Sequence, residues 1–350
     1  MNLDGANILV TGGTGSFGKR FVTRVLERWK PERLIVFSRD ELKQFQMRQQ
    51  FPVDRFPNLR MFIGDVRDRE RLARVMDGVD VVVHAAALKQ VPTAELNPLE
   101  AIKTNILGAA NLIDVAIERR VERVVALSTD KAANPINLYG ATKLCADKLF
   151  VAANATGLHQ TRFSVVRYGN VVGSRGSVIP YFLAQRATGR VTITDERMTR
   201  FLMTLDQSVE FVLQCADMML GGELFVPKIP SARVVDLARV IAPHCEREII
   251  GIRPGEKLHE TLVPVDDAHL TIECDAYYVI QPSHSFWNRK DFLNGRQGRP
   301  CPDGFCYTSD TNAWKLNDAD IVSLVAEVEA DPELAALLPA PTEPHFIVGS

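Results

Sequence analysis

The chain has no hydrophobic run approaching the roughly 18 apolar residues that a membrane-spanning helix requires, so no membrane partner is expected. Its opening segment, MNLDGANILVTGG, lacks the basic residues and long apolar stretch of a secretory signal, and we expect a cytoplasmic chain. Charge of one sign is not in excess: 41 Lys and Arg face 43 Asp and Glu, a formal net charge of -2. That balance gives no electrostatic reason to expect nucleic acid or an anionic surface as partner. Cysteines occupy positions 145, 215, 245, 274, 301 and 306 without a Cys-x-x-Cys pair or a nearby pair of histidines. The spacing excludes the common structural zinc patterns, so no metal is expected and the thiols read as reduced and mostly buried.

What is present suits a globular enzyme. The 350 residues are 46% hydrophobic and 24% charged, enough for one large domain or two ordinary ones. The first 170 residues alternate short β-branched runs with longer amphipathic stretches, the pattern of an α/β fold with a doubly wound parallel sheet. Strands are predicted at Ile8–Thr11, Leu34–Phe37, Met61–Ile63, Val79–His84, Val124–Ser128 and Ser164–Arg167. Helices are predicted at Gly18–Lys30, Glu70–Met76 and Pro98–Arg119. Beyond Arg167, Gly, Pro and charge mix more freely. We therefore expect a Rossmann-type domain over 1–170, with some later segments returning to it, and a smaller substrate lobe over 171–285. A C-terminal extension over 286–350 should carry a helix near Asn317–Glu329 and end in a disordered Pro-rich tail.

The strand ending at Thr11 runs into Gly12-Gly13-Thr14-Gly15-Ser16-Phe17-Gly18 and then a helix. Glycines at this spacing permit a tight turn, close approach of backbone to a pyrophosphate, and close helix–strand packing. The helix N-terminus then faces the phosphates. The second strand ends in Phe37-Ser38-Arg39-Asp40. An acidic residue there would bond a free ribose 2′-hydroxyl, whereas an arginine pairs with a 2′-phosphate. Ser38 and Arg39 come first and favour NADP; Asp40 keeps NAD as the alternative. Asp65, after the third strand, either meets the adenine amino group or serves as a turn residue. The small residues Ala85, Ala86 and Ala87 after the fourth strand let a cofactor lie flat on the chain.

Tyr139 and Lys143 stand four residues apart, which places both on one helix face, eleven residues beyond Ser128. An ammonium group beside a phenol lowers its pKa, so the tyrosine can take a hydroxyl proton while hydride leaves the same carbon.

The segments TGGTGSFGK, SRDELKQ, FIGDVRD, HAAALKQVP, STDKAANPINLYGATK, VVRYGNVVGSRGSV and GIRPGEKLHE closely resemble an extended short-chain dehydrogenase/reductase family, the inverting UDP-N-acetylglucosamine 4,6-dehydratases, from about residue 5 to 283. That family begins pseudaminic acid biosynthesis. The resemblance implies an NADP-dependent lyase acting on UDP-N-acetylglucosamine, and a homo-oligomer with a hexamer as the expected form. In retaining sugar dehydratases the corresponding pair resembles Asp-Glu, and the similarity to the inverting family implies that Lys131 replaces the second carboxylate in Asp130-Lys131. In the chemistry so implied, Tyr139 oxidises C4, Lys131 takes the C5 proton, and Asp130 protonates the departing C6 hydroxyl. Thr129 bonds the C4 oxygen, and hydride returns to C6. Burial and positive charge from Lys143 and the cofactor ring are expected to lower the Lys131 pKa. Asn105 either holds helix backbone near the site or is purely structural.

Lys43, Val66, Lys89 and Val171 complete the expected cofactor contacts, with Lys89 lying between cofactor and sugar. On the substrate side we expect Asn170 and the loop Arg175-Gly176-Ser177-Val178, with Arg197 and Arg200 as further contacts. The resemblance implies that Arg253 contacts the diphosphate and Glu256 the ribose hydroxyls. Two rivals remain on the same scaffold, a C4 epimerase and a retaining dehydratase, and Asp130-Lys131 argues against both. A non-catalytic NADP-sensing protein would typically lose Tyr139 and Lys143, which this chain keeps.

Overall fold

The computed structural model describes residues 1–156, 161–174, 177–283, 292–293 and 296–331. Six short apolar runs build the first half of the main sheet: β1 (Asn7–Thr11), β2 (Arg33–Ser38), β3 (Leu59–Ile63), β4 (Val81–His84), β5 (Arg123–Leu127) and β6 (Arg162–Val166). Between them lie α1 (Ser16–Arg28), α2 (Glu41–Gln50), α3 (Arg69–Val75), α4 (Val91–Leu96), α5 (Pro98–Ile102), α6 (Gly108–Glu118) and α7 (Leu138–Ala153). The inner strands are largely apolar at their centres because both faces are covered. Val81, Val82, Val83, Val124 and Val125 are all buried. Each such side chain contributes about 1.5–3 kcal/mol.

The second half supplies β7 (Asn170–Val172), β8 (Arg190–Ile193), β9 (Thr199–Thr204), β10 (Leu224–Pro227), β11 (Ser231–Arg233) and β12 (Glu246–Ile249). It continues with β13 (Thr261–Val263), β14 (Thr271–Cys274), β15 (Tyr277–Ile280), β16 (Gly298–Pro300) and β17 (Tyr307–Thr308). Helices α8 (Val178–Arg186), α9 (Leu205–Met218), α10 (Val234–Ile241) and α11 (Asp318–Ala330) accompany them.

The main sheet has ten strands in the order β16-β14-β15-β10-β6-β5-β4-β1-β2-β3. The stretch from β10 to β3 is parallel, and β15, β14 and β16 add to it antiparallel. Strand order reverses direction between β1 and β4. A doubly wound sheet leaves its ligand crevice at that switch point, beyond the carboxyl ends of the strands. The α/β class read from the sequence is therefore the fold observed, and the six predicted strands recur with ends shifted by at most two residues.

A second core gathers Val172, Ile179, Phe182, Leu237, Ile321 and Val328 from β7, α8, α10 and α11. The last helix starts one residue after the predicted Asn317, which caps it in a reciprocal arrangement with Asp320. Arg239 fastens it by two 2.7 Å bonds to Asp318. The Pro-rich tail lies outside the described residues.

One predicted helix is interrupted. Pro98–Arg119 divides into α5, a π-helical turn at Lys103–Leu107, and α6. Asn105 sits in that wide turn, with its amide bonded to the Leu88 carbonyl and to Thr142 Oγ1, each at 2.9 Å. Its carbonyl oxygen accepts from the Leu88 N–H at 2.8 Å. π-turns of this kind concentrate at functional sites. Here the turn presents one amide that ties the loop after β4 to α7.

Candidate active site

The glycine-rich turn is shaped by close approach. Gly12 has φ +67°, and a Cβ on it would lie 2.8 Å from the Ala86 nitrogen. Gly18 rests on Gly13, where an added Cβ would come within 2.6 Å of the Gly13 carbonyl oxygen. Gly15 occupies the N-cap of α1 in extended conformation, with no side-chain capping bond. The first N–H groups of a 13-residue helix are thus available to an anion. Gly18→Ala should lower the unfolding midpoint and weaken cofactor binding, because backbone must move at a cost of about 1–3 kcal/mol. An unchanged midpoint and affinity would show that the turn has slack the structure lacks.

A cleft of about 500 Å³ opens above this turn and is lined by Gly12, Thr14, Gly15, Ser16, Phe17 and Gly18. Ser38, Arg39, Asp40, Lys43, Asp65 and Val66 line its adenosine-side wall, and Ala85, Ala87, Lys89, Tyr139, Lys143 and Val171 its inner end. The structure thereby brings together all the residues expected to touch the cofactor. A nicotinamide dinucleotide fits this shape: glycines leave room for backbone to approach phosphate, and a helix N-terminus faces it.

Asp40 caps α2 through the Lys43 N–H at 3.0 Å and pairs with Lys43 Nζ at 2.6 Å. Arg39 is 55% exposed and reaches to 3.6 Å from Asp65. Burial opposes ionisation of Asp65, yet bonds from Arg67 and the charge of Arg39 hold its carboxyl below the ordinary range.

At the inner end, Asn137 caps α7 by accepting from the Gly140 N–H at 2.8 Å. Gly140 is required there, since a Cβ would stand 2.9 Å from the Lys131 carbonyl carbon. Glycine lets α7 press against the turn that carries Asp130 and Lys131. Tyr139 and Lys143 project from that helix and are both buried. Burial pushes the Tyr139 phenol up to about 12, against the charge of Lys131 and a bond from Thr129. The expectation of a lowered phenol is corrected: burial outweighs the cations, and Lys131 is the charge that most opposes the rise. Burial lowers the Lys143 pKa, with Asp147 acting the other way. Asp147 also accepts from Ser128 Oγ at 2.7 Å and Arg167 Nη2 at 3.2 Å, a buried brace behind the helix. His84 is pushed down to about 3 by burial and by Lys143, so it stays neutral beside Thr11.

Asp130 is 1% exposed and Lys131 7%. Thr129 Oγ1 donates to Asp130 Oδ1 at 2.9 Å, and Lys131 Nζ lies 3.3 Å from the same oxygen. Asp130 Oδ2 has no partner among the described residues. Burial, reinforced by the charge of Glu260, raises the Asp130 carboxyl. The expectation for Lys131 is corrected. Burial does push its pKa down, but Asp130 and Glu260, the latter 3.7 Å away, outweigh burial and raise it. Sequence spacing showed the neighbouring positive charges and concealed this carboxylate.

A second, smaller cavity adjoins Lys131 and is lined by Asn170, Arg200, Arg253, Glu256, Lys257 and Glu260. Asn170 Oδ1 and Glu256 Oε2 are buried in it without a hydrogen-bond partner among the described residues. Ser177 and Val178 lie at the start of α8, with Ser177 buried, while Arg175 and Gly176 lie outside the described residues. Arg197 is a correction: it is 71% exposed and its guanidinium is spent on Asp195 at 2.8 Å, away from both cavities. The arginine three residues on, Arg200, is the one that turns inward. It is 6% exposed and lies 3.4 Å from Glu256. β9 is buried along nearly its whole length and encloses Arg200, whereas Arg197 sits on the turn before the strand. Glu260 went unsingled in the sequence, because nothing in its spacing marks a buried carboxylate.

A parallel sheet with a glycine turn at its switch point and a Tyr–Lys helix beside the cleft defines an extended short-chain dehydrogenase/reductase. The chain belongs to the polysaccharide biosynthesis protein family, whose profile matches residues 8–282. It is 54% identical over 330 residues to a UDP-N-acetylglucosamine 4,6-dehydratase (inverting) of Campylobacter jejuni subsp. jejuni serotype O:2, covering 92% of this chain and 98% of that one. A UDP-glucose 4-epimerase of Rickettsia canadensis is 41% identical over 328 residues, covering 91% and 94%. Among solved structures, Pen from Bacillus thuringiensis superposes with a TM-score of 0.84 at 36% identity, covering 93% of this chain and 99% of that one. No helix among the described residues is long and apolar enough to cross a membrane.

Proposed function

We propose that this protein is an NADP-dependent hydro-lyase that converts UDP-N-acetylglucosamine to a 4-keto-6-deoxy sugar nucleotide with inversion at C5. The observation that carries the reading is the buried Asp130-Lys131 pair, set between the dinucleotide cleft and the smaller cavity. The 54% identity to the inverting dehydratase supports it.

Tyr139, as its phenolate, accepts the C4 hydroxyl proton, and Thr129 bonds the C4 oxygen. Burial disfavours the phenolate, and the positive ring of a bound oxidised cofactor would favour it. Bound NADP would supply the hydride acceptor for C4 and the donor for C6, leaving no net change in its redox state. C5 loses its proton from one face and takes one on the opposite face, which is the inversion. A carbonyl at C4 acidifies the C5 proton, which Lys131 removes. Asp130, whose carboxyl burial and Glu260 raise, gives a proton to the C6 hydroxyl as it leaves. Lys89, Asn170, Arg253 and Glu256 hold the sugar nucleotide, with Arg253 on the diphosphate. Ser177 and Val178, at the start of α8, are further proposed contacts, with Arg175 and Gly176 of the same segment expected from the sequence.

A C4 epimerase is the second reading, favoured by the relative of that name. Epimerisation at C4 needs no acid at C6 and no base at C5, so it leaves Asp130 and Lys131 without a task. Incubation with UDP-N-acetylglucosamine, followed by NMR of the sugar, separates the two. A 4-keto-6-deoxy product without stoichiometric NADPH accumulation supports the dehydratase. UDP-N-acetylgalactosamine makes the protein an epimerase.

NADP is preferred to NAD because the Asp40 carboxylate is engaged with α2 and Lys43, while Arg39 stands at the cleft. Arg39→Ala should weaken NADP by roughly 10- to 100-fold, the worth of a charged hydrogen bond, and leave NAD nearly unchanged. Equal losses for the two dinucleotides would show that Arg39 does not read the 2′-phosphate. The working form is a cytoplasmic homo-oligomer, with a hexamer as the expected assembly. Exposed Leu96, Leu99 and Leu107 on the α4–α6 stretch are apolar surface of the kind that subunits bury.

A further inference from the structure

Glu260 is the deepest carboxylate of the smaller cavity, 2% exposed, and it belongs to no role assigned above. Its Oε1 lies 3.7 Å from Lys131 Nζ and 3.9 Å from Arg200 Nε, and its Oε2 has no hydrogen-bond partner among the described residues. A buried carboxylate is costly unless charge partners surround it. These partners belong to the proposed reaction.

The chain beyond residue 285 fixes its position. The Glu260 N–H donates to Ser309 Oγ at 2.9 Å, and the Ser309 N–H donates to the Glu260 carbonyl at 2.8 Å. The adjoining strands β13 and β17 pair antiparallel, Thr261 with Thr308 and Val263 with Tyr307. Ser309 Oγ also meets Thr199 Oγ1 at 2.6 Å, next to Arg200. The C-terminal segment thus clamps both Glu260 and the strand that carries its arginine.

We propose that Glu260 is a positioning residue whose negative charge orients the Lys131 amine and sets the protonation of the Asp130-Lys131 pair, and that Ser309 holds it in place. The proposal rests on the dehydratase reading. Several charged groups face this centre. Asp130 and Lys131 come from the turn after β5, Tyr139 from α7, and Arg200 from β9. Arg253, Glu256, Lys257 and His259 come from the loop before β13, and Asp310 faces His259 from the C-terminal segment. Arg167 acts on Lys257 from the end of β6. Glu260 remains ionised among them. Burial opposes this, but Lys131, Arg200 and Lys257 together hold its carboxyl below the ordinary range. Its charge raises both Asp130 and Lys131.

The test is the pH profile of dehydration by the full-length protein. Removing one negative charge lowers both ionisations of the coupled pair, so both limbs of the profile in Glu260→Gln should move to lower pH. That direction holds whichever group carries which limb. The rate at neutral pH should fall at least about tenfold, with cofactor affinity and unfolding midpoint near wild type. Glu260→Asp should return the limbs toward their wild-type positions, since it restores the charge. Ser309→Ala keeps the carboxylate and loosens its anchor, so its limbs should move the same way by a smaller amount, even if Glu260→Gln fails to fold. Limbs that stay in place while the rate falls would overturn the proposal and leave Glu260 a packing residue. If wild-type protein forms no dehydrated sugar, the dehydratase reading fails instead.

Discussion

Lys131→Met should form no dehydrated sugar above a background about 10²–10⁴-fold below wild type, the range lost with a general base. Met fills nearly the same volume as the lysine stem and carries no charge. It leaves the glycine turn and the Arg39 wall untouched and keeps Asn170 and Arg253 in the smaller cavity, whose lining includes Lys131. Cofactor affinity should therefore stay close to wild type, and substrate should still bind. In D2O the wild type should place solvent deuterium at C5 of the product. The mutant should give neither that product nor C5-labelled substrate, although Tyr139 can still accept the C4 hydroxyl proton. Near wild-type dehydration by Lys131→Met would remove the amine from the mechanism. Glu260 would then be the carboxylate to test as base, because it lies 3.7 Å from Lys131 Nζ.

The raised Lys131 pKa bears on that outcome. An ammonium held by two carboxylates cannot accept a proton until it has lost one, so the substrate-free protein stores this residue in its inactive form. Activity that depends on its neutral form is therefore lost as pH falls. A substrate that separates Lys131 from Asp130 or Glu260 removes the interactions that raise it, and burial then favours the neutral amine.

The cofactor half was legible because its chemistry lies in consecutive residues. Gly12 to Gly18, Ser38 to Asp40 and Ala85 to Ala87 each follow a strand, and strand order alone carries those three ends to one crevice. Tyr139 and Lys143 were legible through helical spacing. The substrate half was less so, because its residues converge from distant segments. Arg200 reaches the pocket and Arg197 does not, a difference that depends on where β9 begins. Glu260 gained its role from Ser309, 49 residues away, and no local period records such a contact. The π-turn at Lys103–Leu107 was hidden for the opposite reason. Its residues keep an ordinary helical composition, and only tertiary bonds from Asn105 to Leu88 and Thr142 reveal the extra residue in the turn.

Asp130→Asn should block the reaction one step later than Lys131→Met and thereby tell acid from base. Asn keeps the size of the side chain and the acceptor for Thr129 Oγ1. Burial and the charge of Glu260 raise the Asp130 carboxyl, which favours its proton-carrying form. The amide removes the Asp130 charge that raises Lys131, which favours the neutral amine. It also removes the transferable proton. Without that proton the C6 hydroxyl departs as hydroxide, and dehydration should fall by about 10²–10⁴-fold. Oxidation at C4 and proton removal at C5 remain open to Tyr139 and Lys131, so substrate recovered from D2O should carry deuterium at C5. The contrast is the test: labelled substrate without product from Asp130→Asn, and neither from Lys131→Met. Unlabelled substrate from both mutants would place Asp130 before C5 deprotonation. Product formed at wild-type rate by Asp130→Asn would end its candidacy as the acid.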